Sequence, residues 1–202
     1  MIRSKIWAAD LSPLDARRSA ATLVEDFVEI TAGRLPDIAA AMGPDGDRAA
    51  GRFARGSRCF AIEEGGSIVA FGWLSTGQEW IGELSLWFTP EDGEGYVWNC
   101  YTLEPHRRRG KYRRLLNGLV LQAGAIGLNR LWIGSIDDPA EKADADAGFS
   151  PVLLCEVRKL AGVRMVRLRP APGAHPGLVQ AAHQRLNLQA SRTIGRARGR
   201  IH

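Results

Sequence analysis

The sequence predicts a mixed α/β fold in which a mostly antiparallel central sheet is flanked by helices. In the first half, short segments rich in β-branched and aromatic residues are separated by tight turns, which is typical of an antiparallel meander. A strand, a helix and a further strand follow, and such a crossover permits local parallel pairing. With 202 residues, of which 45% are hydrophobic, the chain is long enough for one domain with a core.

The N-terminal part predicts helices. Residues 14–31 place six residues on one face at helical spacing, with Ser12 and Pro13 just ahead as a start: Leu14, Ala21, Val24, Phe27, Val28 and Thr31. Gly33 and Pro36 end this helix, and we expect a second short helix over 37–42. A turn and another short helical piece before Gly56 complete this part.

The meander predicts four strands joined by tight turns. Their segments are 59–63, 67–75, 82–88 and 96–103. Glycine-containing turns at 64–66, 76–78 and 90–95 separate them, and this chemistry favours hairpins.

The second half predicts the crossover. Apolar residues repeat at helical spacing from Leu115 to Ile126 and stop at Gly127. A strand at 130–135, a short helix at 139–147 and a closing pair of strands at 151–158 and 163–168 follow. We therefore assign residues 1–170 to one domain and residues 171–202 to a basic C-terminal extension that is partly disordered.

The charge is divided unevenly along the chain. The net charge is +5, but no Asp or Glu follows Glu156, so residues 157–202 carry +10 and the rest carries −5. This excludes a uniformly basic protein. The basic end lacks the interleaved aromatic residues used to bind single-stranded nucleic acid, so we do not expect nucleic acid as a partner.

The cysteines and the apolar segments indicate a compartment. Cys59, Cys100 and Cys155 are odd in number and lie outside CxxC pairs, so they predict buried thiols in a reducing compartment and no metal site. The longest uncharged run is too short to span a bilayer, and no signal peptide is visible. We expect a cytoplasmic protein with no membrane span, and a homodimer stays open.

One turn has the chemistry of a phosphate site. The segment 103–116 follows a strand, turns through Pro105 and opens a helix, with three successive arginines before Gly110. The first amides of a helix have no intrahelical acceptor and carry the positive end of its dipole. Glycine allows close approach of the ligand, and arginine adds charge. Such a turn suits a pyrophosphate.

This arrangement resembles the GNAT superfamily of acyl-CoA-dependent N-acyltransferases. The phosphate-binding motif of that family, Q/R-x-x-G-x-G/A, is matched by six residues in order: Arg107, Arg108, Arg109, Gly110, Lys111 and Tyr112. Downstream, residues 131–135 are similar to the strand that usually follows, and Asp138, Pro139 and Ala140 lie where the family has an Asn-x-x-Ala element. Gly148 and Phe149 match the frequent terminal pair.

The sequence departs from the family pattern at two places. Tyr112 stands where Gly or Ala is usual, and its bulk narrows or repositions the pyrophosphate approach. The tyrosine that many members use as a general acid before the Gly-Phe pair is absent, and residues 144–147 read Asp-Ala-Asp-Ala. The cofactor half of the site is therefore better supported by the motif than the catalytic half.

The resemblance implies that an amine attacks acetyl-CoA directly in a ternary complex, with acetyl-CoA as co-substrate and no metal. Pantetheine would lie along the strand before the turn, against Cys100, Tyr101, Thr102 and Leu103, with Leu103 offering backbone groups. An ammonium must lose a proton before attack. Glu83 is the leading candidate to accept it, and Tyr101 and Glu104 are the others.

Two other functions remain open at this stage. A catalytically degenerate module could keep the CoA site for binding or regulation. Alternatively, the basic tail could bind an anionic partner through Arg192, Arg196, Arg198 and Arg200. The acyl acceptor and the length of the acyl chain are not determined by the sequence.

Overall fold

The computed structural model describes residues 2–11, 26–136, 138–160 and 163–186. Ten strands lie in this part of the chain: β1 (Ile2–Asp10), β2 (Phe27–Ile30), β3 (Arg58–Glu64), β4 (Ser67–Ser75), β5 (Glu79–Ile81), β6 (Leu86–Phe88), β7 (Glu94–Thr102), β8 (Arg130–Ser135), β9 (Ser150–Leu160) and β10 (Val163–Pro170). The helices are α1 (Leu35–Met42), α2 (Ala49–Ala54), α3 (Lys111–Ala125), α4 (Asp138–Asp146) and α5 (Pro176–Arg185).

Eight of the strands form one sheet in the order β10-β9-β1-β8-β7-β4-β3-β2. Neighbours in this sheet are antiparallel except β7 and β8, which are parallel because α3 carries the chain across between them. β5 and β6 pair separately as a two-stranded hairpin. The predicted mixed, mostly antiparallel sheet flanked by helices is confirmed.

The largest difference from the sequence prediction is β1. We expected the fold to begin with helices, whereas Ile2–Asp10 is a strand in the middle of the sheet. It pairs antiparallel with β8 on one side and with β9 on the other. Side chains on both of its faces are buried, including Ile6, Trp7, Ala8 and Ala9. The strand therefore joins β9 and β10 to the other five strands of the sheet.

Two further predictions are wrong. The predicted helix 14–31 is wrong at its C-terminal end, because Phe27–Ile30 is extended and pairs with β3 as β2. Residues 14–25 of that prediction lie outside the described residues. The predicted strand 82–88 is a strand only from Leu86, since residues 82–85 form the turn between β5 and β6. Glu83 therefore lies in a turn and not on a strand.

The core occupies both faces of the sheet. On one face, α3 packs Leu115, Leu116 and Leu119 against Trp7 and Phe60. On the other face, α1 and α2 cover the half of the sheet near β3 and β4, and the β5-β6 hairpin and α5 cover the half near β1 and β9.

The helix α5 packs onto the sheet although it follows residue 170. Ala182 and Leu186 are fully buried, and Arg185 is bound to Glu94 at the start of β7. The backbone N–H of Thr89 also donates to the carbonyl of Arg185, over 2.8 Å. The domain boundary after residue 170 stays a prediction, and the disorder expected from Ser191 onward lies outside the described residues. No helix among the described residues is long and apolar enough to cross a membrane.

Candidate active site

β7 and β8 separate along their length. Their parallel pairing covers Glu94–Val97 of β7 and ends at the pair Val97 and Ile133, although β7 continues to Thr102 and β8 to Ser135. Beyond this point the edge of β7 that faces β8 has no partner strand among the described residues. A strand edge with free N–H and C=O groups can pair with an extended ligand.

A bulge in β7 lies at the start of this opening. The register with β4 shifts between Phe71 and Trp73, and Asn99 has a φ of 46°, in the left-handed region. An asparagine tolerates this conformation better than most residues do. Its side-chain oxygen accepts a hydrogen bond of 2.6 Å from Arg52 on α2. The bulge is thus held in place by a side chain of α2.

Arg52 is a buried cation beside this bulge. Its guanidinium lies over the ring of Trp98 at 4.5 Å and over that of Trp73 at 5.0 Å. Burial lowers the pKa of Arg52, and the charge of Asp45 opposes that shift. Its partners are the two rings and Asn99; within the described ranges Arg52 makes no ion pair. Aromatic faces therefore stabilise much of its charge.

The arginine-rich turn follows directly after β7. Arg108 and Gly110 have φ values of 59° and 73°, so two left-handed residues reverse the chain before α3 begins. The backbone N–H of Arg114 donates to the carbonyl of Gly110 over 3.0 Å, so the amides of residues 111–113 precede the first turn's helical bonds. The positive end of this 15-residue helix therefore lies in the turn that follows β7.

The three arginines of the turn have different environments. Arg107 folds back onto β7, where it donates to the hydroxyl of Tyr101 (2.7 Å) and to the carbonyl of Thr102 (3.1 Å). Arg108 and Arg109 are exposed, and neither forms an ion pair within the described part of the chain. Of these three arginines, Arg108 and Arg109 are therefore the ones that a ligand could bind without breaking an ion pair.

Lys111 connects the turn to the β3-β4 hairpin through an ion pair. Its ammonium is bound to the Glu64 carboxylate and lies 4.0 Å from Asp26, and its side chain is mostly buried. His106 also contacts Glu64, at 3.1 Å. Hydrogen bonding to Lys111 lowers the pKa of Glu64, although burial opposes the shift. Lys111 therefore offers a ligand its backbone amide, while its side chain holds the turn in place.

Tyr112 packs inward. Its ring lies against the core cluster under α3 and does not project from the turn. The bulk at this motif position is thus directed away from the pyrophosphate approach that we expected it to narrow.

Leu103 was expected to offer its backbone groups to pantetheine, but both groups already have partners within the protein. Its N–H donates to Val69 (3.0 Å) and its carbonyl accepts from His106 (2.9 Å), so both backbone groups are engaged. The hydroxyl of Thr102 is buried and has no hydrogen-bond partner in the described structure. Both backbone groups of Leu103 thus have partners within the fold, and burial shields the Thr102 hydroxyl from a ligand.

The three candidate proton acceptors do not converge on one point. Tyr101 lies on β7 beyond the last pair with β8, with its ring against Phe71. Glu104 lies in the short helical turn after β7 and is 78% exposed. Glu83 is exposed in the hairpin turn, and after burial its charge is the next cause that raises the pKa of Tyr96. Tyr96 pairs with Trp132 of β8, one pair before the two strands separate.

One buried carboxylate was missed by sequence reasoning. Glu79 opens β5 and is 5% exposed, with its Oε1 accepting hydrogen bonds from Ser57 and Ser75, each 2.9 Å long. Ser75 in turn accepts from the indole N–H of Trp98 over 2.9 Å. The available signal was weak: a glutamate at the start of a short apolar segment, between a turn and Trp80.

The surroundings of the three cysteines keep their thiols neutral. Burial raises the pKa of Cys59 and of Cys155 to about 12, and raises that of Cys100 further. Thiols held neutral in this way are poor nucleophiles. Within the described residues no group of three or more His, Cys, Asp or Glu side chains could hold a metal ion.

A sequence comparison matches residues 25–146 to the model of the acetyltransferase (GNAT) family. No curated protein matches the chain in a sequence search. The match to the family model covers β2 through α4, which includes the opening between β7 and β8 and the arginine-rich turn.

Solved structures share the fold at low sequence identity. A GNAT-family protein from Novosphingobium aromaticivorans superposes with a TM-score of 0.54 and 14% identity, over 76% of this chain and 61% of that one. A GNAT-family acetyltransferase from Colwellia psychrerythraea gives 0.53 and 14%, over 85% and 57%. A ribosomal-protein-alanine N-acetyltransferase from Brucella melitensis gives 0.50 and 15%, over 72% and 99%. The match therefore spans less than two thirds of the first two structures.

Proposed function

Because the chain belongs to the acetyltransferase (GNAT) family, we propose that it transfers an acetyl group from acetyl-CoA to an amine by direct attack in a ternary complex. The observation that carries this proposal is the junction of β7 with α3. An open strand edge leads there into a left-handed turn, two exposed arginines and a helix N-terminus. Each of these features suits one part of an acyl-CoA.

The turn would hold the pyrophosphate. The backbone amides at the start of α3 would donate to its oxygens, and Arg108 and Arg109 would add charge-assisted contacts from the solvent side. Arg107, Gly110 and Tyr112 shape the turn, and Lys111 fixes it to the hairpin. The cofactor is thus bound mainly by backbone groups that other parts of the fold hold in position.

The free edge of β7 would bind pantetheine. Tyr101 and Thr102 line it, and the bulge at Asn99 would bring a backbone amide toward the thioester carbonyl. A donor held in place before the reaction stabilises the charge that develops on that oxygen. Arg52 contributes indirectly by holding Asn99.

Proton removal from the attacking ammonium is assigned to Glu83 first, with Tyr101 and Glu104 as alternatives. Glu83 is favoured because its charge reaches Tyr96, beside the point where β7 and β8 separate. Tyr101 accepts a hydrogen bond from Arg107. Its own hydroxyl proton is therefore directed elsewhere, which suits a donor to the departing thiolate as well.

The function is tested in two steps. Acetyl-CoA is expected to raise the melting temperature of the protein, and replacing both Arg108 and Arg109 by Ala should weaken CoA binding about tenfold. The matched control is Arg48→Ala, an arginine that is 73% exposed far along the chain from the turn. Equal CoA affinity of all three proteins would contradict the assigned pyrophosphate site.

Turnover is then followed as thiol release from acetyl-CoA with a panel of amines. Glu83→Gln, Tyr101→Phe and Glu104→Gln are compared at saturating acetyl-CoA. The variant that lacks the proton acceptor should lose at least about a hundredfold in kcat while keeping its CoA affinity. An unchanged kcat removes that residue from the mechanism.

CoA binding without thiol release from any amine would favour the degenerate, regulatory module instead. Binding of an anionic partner through the basic tail has its own signature, a strong salt dependence that disappears when the chain is cut after Pro170. A cytoplasmic location and a homodimer stay predictions.

A further inference from the structure

A cavity of about 730 Å³ lies beside the second face of the sheet. It is partly open to solvent, and it is lined by the residues after α2, the end of β4 and the β5-β6 hairpin. Its volume is in the range of small-molecule sites. Its lining includes two exposed indole side chains and one buried carboxylate.

The indoles are Trp80 of β5 and Trp87 of β6. They are 46% and 41% exposed and meet edge to face with their ring centroids 5.1 Å apart. By contrast, Trp73 and Trp132 are completely buried. Indole rings left in solvent at the mouth of a cavity mark a binding surface for flat apolar groups and for cations.

The carboxylate is Glu79, whose inner oxygen is bound by the hydroxyls of Ser57 and Ser75. Its outer oxygen is reached by Arg55 over 3.3 Å, and the Arg55 side chain is 54% exposed. A long contact from a largely solvated arginine is weak. An incoming ammonium can therefore take the place of Arg55 at the outer oxygen.

The cavity is joined to the opening between β7 and β8 through Ser75. The hydroxyl of Ser75 accepts the indole N–H of Trp98, and Trp98 is the first residue of β7 past its last pair with β8. Trp98 therefore connects Ser75, which lines the cavity, to the start of this opening. A molecule in the cavity would lie on the side of the sheet opposite to α3.

We propose that this cavity binds the acyl acceptor, and that the acceptor is a small amine whose ammonium group is attached to an aromatic body. The ring packs against Trp80 and Trp87, and the ammonium binds Glu79. This assignment rests on the proposed acetyl transfer and specifies its substrate class. Glu79 serves here as a binding residue, and the proton leaves through the acceptors named above.

The test measures equilibrium binding of 2-phenylethylamine to the full chain saturated with CoA. Phenylacetate, with the same ring and the opposite charge, is the comparison ligand. The amine is expected to bind in the micromolar to millimolar range, and phenylacetate at least about tenfold more weakly. Trp80→Ala and Trp87→Ala should each weaken amine binding about three- to thirtyfold, and Glu79→Gln about tenfold or more.

Controls separate recognition from folding. Trp87→Phe keeps an aromatic face and should restore most of the affinity lost in Trp87→Ala. Asp92→Asn changes the same charge at an exposed position outside the cavity and should leave amine binding unchanged. CoA affinity should be equal in all these proteins, because none of the substituted residues contacts the arginine-rich turn.

Two results would overturn the assignment. One is amine affinity that is undetectable or equal in wild type, Trp87→Ala and Glu79→Gln, and the other is phenylacetate binding as tightly as the amine. Failure of the proposed function is a different result: amine binding that depends on Trp87 and Glu79, with no thiol release. Conversely, the variants of Trp80, Trp87 and Glu79 could release thiol with the same KM for the amine as wild type. That result would support acetyl transfer and would contradict the cavity as the acceptor site.

Discussion

Two buried glutamates on the same face of the sheet have opposite surroundings. Glu94, at the start of β7, is 4% exposed and accepts hydrogen bonds from Arg185, Trp132 and Arg130 and from the backbone N–H of Glu91. Glu79 is 5% exposed, but its donors are two serine hydroxyls and one half-exposed arginine, and it borders a cavity. Burial alone does not distinguish them.

The difference lies in how the charge is compensated. Arg185 is itself 5% exposed and forms two bonds with the Glu94 carboxylate, of 2.8 and 3.2 Å, so the pair is closed to solvent. Glu79 has one outer oxygen held by a group that solvent can replace. A buried carboxylate with a closed, fully satisfied shell is structural, and one with an exchangeable partner at a cavity is available to a ligand.

The largest expected effect is that of Arg185→Ala. It leaves the Glu94 charge buried without its main partner and should lower the free energy of unfolding by about 3–5 kcal/mol. The control is Arg169→Ala, which removes an exposed pair with Glu156 and should cost no more than about 1 kcal/mol. Urea unfolding measures both, and equal losses would remove the distinction between closed and open pairs.

The contribution of Glu94 and Arg185 to stability should depend on pH. Burial alone would raise the pKa of Glu94, but hydrogen bonds from Arg185, Glu91 and Trp132 outweigh it and hold the pKa below its usual value of 4.5. The stabilisation is therefore complete above that pH and is lost as the pH falls toward the folded-state pKa. The stability gap between wild type and Arg185→Ala should narrow below about pH 4.5 in unfolding curves. A gap that is constant from pH 7 to pH 3 would contradict this.

Glu79→Gln should change the free energy of unfolding very little. The amide oxygen can still accept from Ser57 and Ser75, so we expect a loss of about 1 kcal/mol or less. Glu94→Gln is the matched substitution and should cost several times more, since it leaves the buried Arg185 with only the exposed Glu91 as a counter-charge. Chemical unfolding of both variants under one condition decides the matter, and a large loss for Glu79→Gln would make this residue structural too.

The smallest stability effect is expected for Arg55→Ala. Its side chain is mostly solvated, so removing it should change the unfolding free energy by less than about 1 kcal/mol. The same change frees the outer oxygen of Glu79, and binding of 2-phenylethylamine should become about two- to fivefold tighter. Weaker amine binding in this variant would mean that Arg55 supports the ligand and does not compete with it.

The sequence predicted the elements that local patterns determine. The helix α3 and the turn before it follow from apolar spacing, a glycine and a run of arginines, all within about 25 residues. β4 and β8 were predicted with their observed bounds, since β-branched and aromatic residues end there at clear turn signals. The family resemblance rested on the same local segment.

Long-range pairing determined what could not be predicted. β2 carries apolar residues at helical spacing but extends because β3 offers it an edge to pair with. Glu79 is one of several glutamates in the meander, and its burial depends on Ser57, 22 residues away, and on the folding of the β5-β6 hairpin over it. No local signal separates it from Glu83, which is exposed four residues later.

The central position of β1 has a consequence for how the protein is made. Its partners β8 and β9 follow it by more than a hundred residues, as in the pairs Lys5 with Ser135 and Arg3 with Glu156. During synthesis, Ile2–Asp10 must wait unpaired for many seconds at ordinary ribosomal rates before either neighbour has emerged. The strand that joins the two halves of the sheet is therefore synthesised early and placed late. Until then the nascent chain exposes an apolar strand that a chaperone can hold.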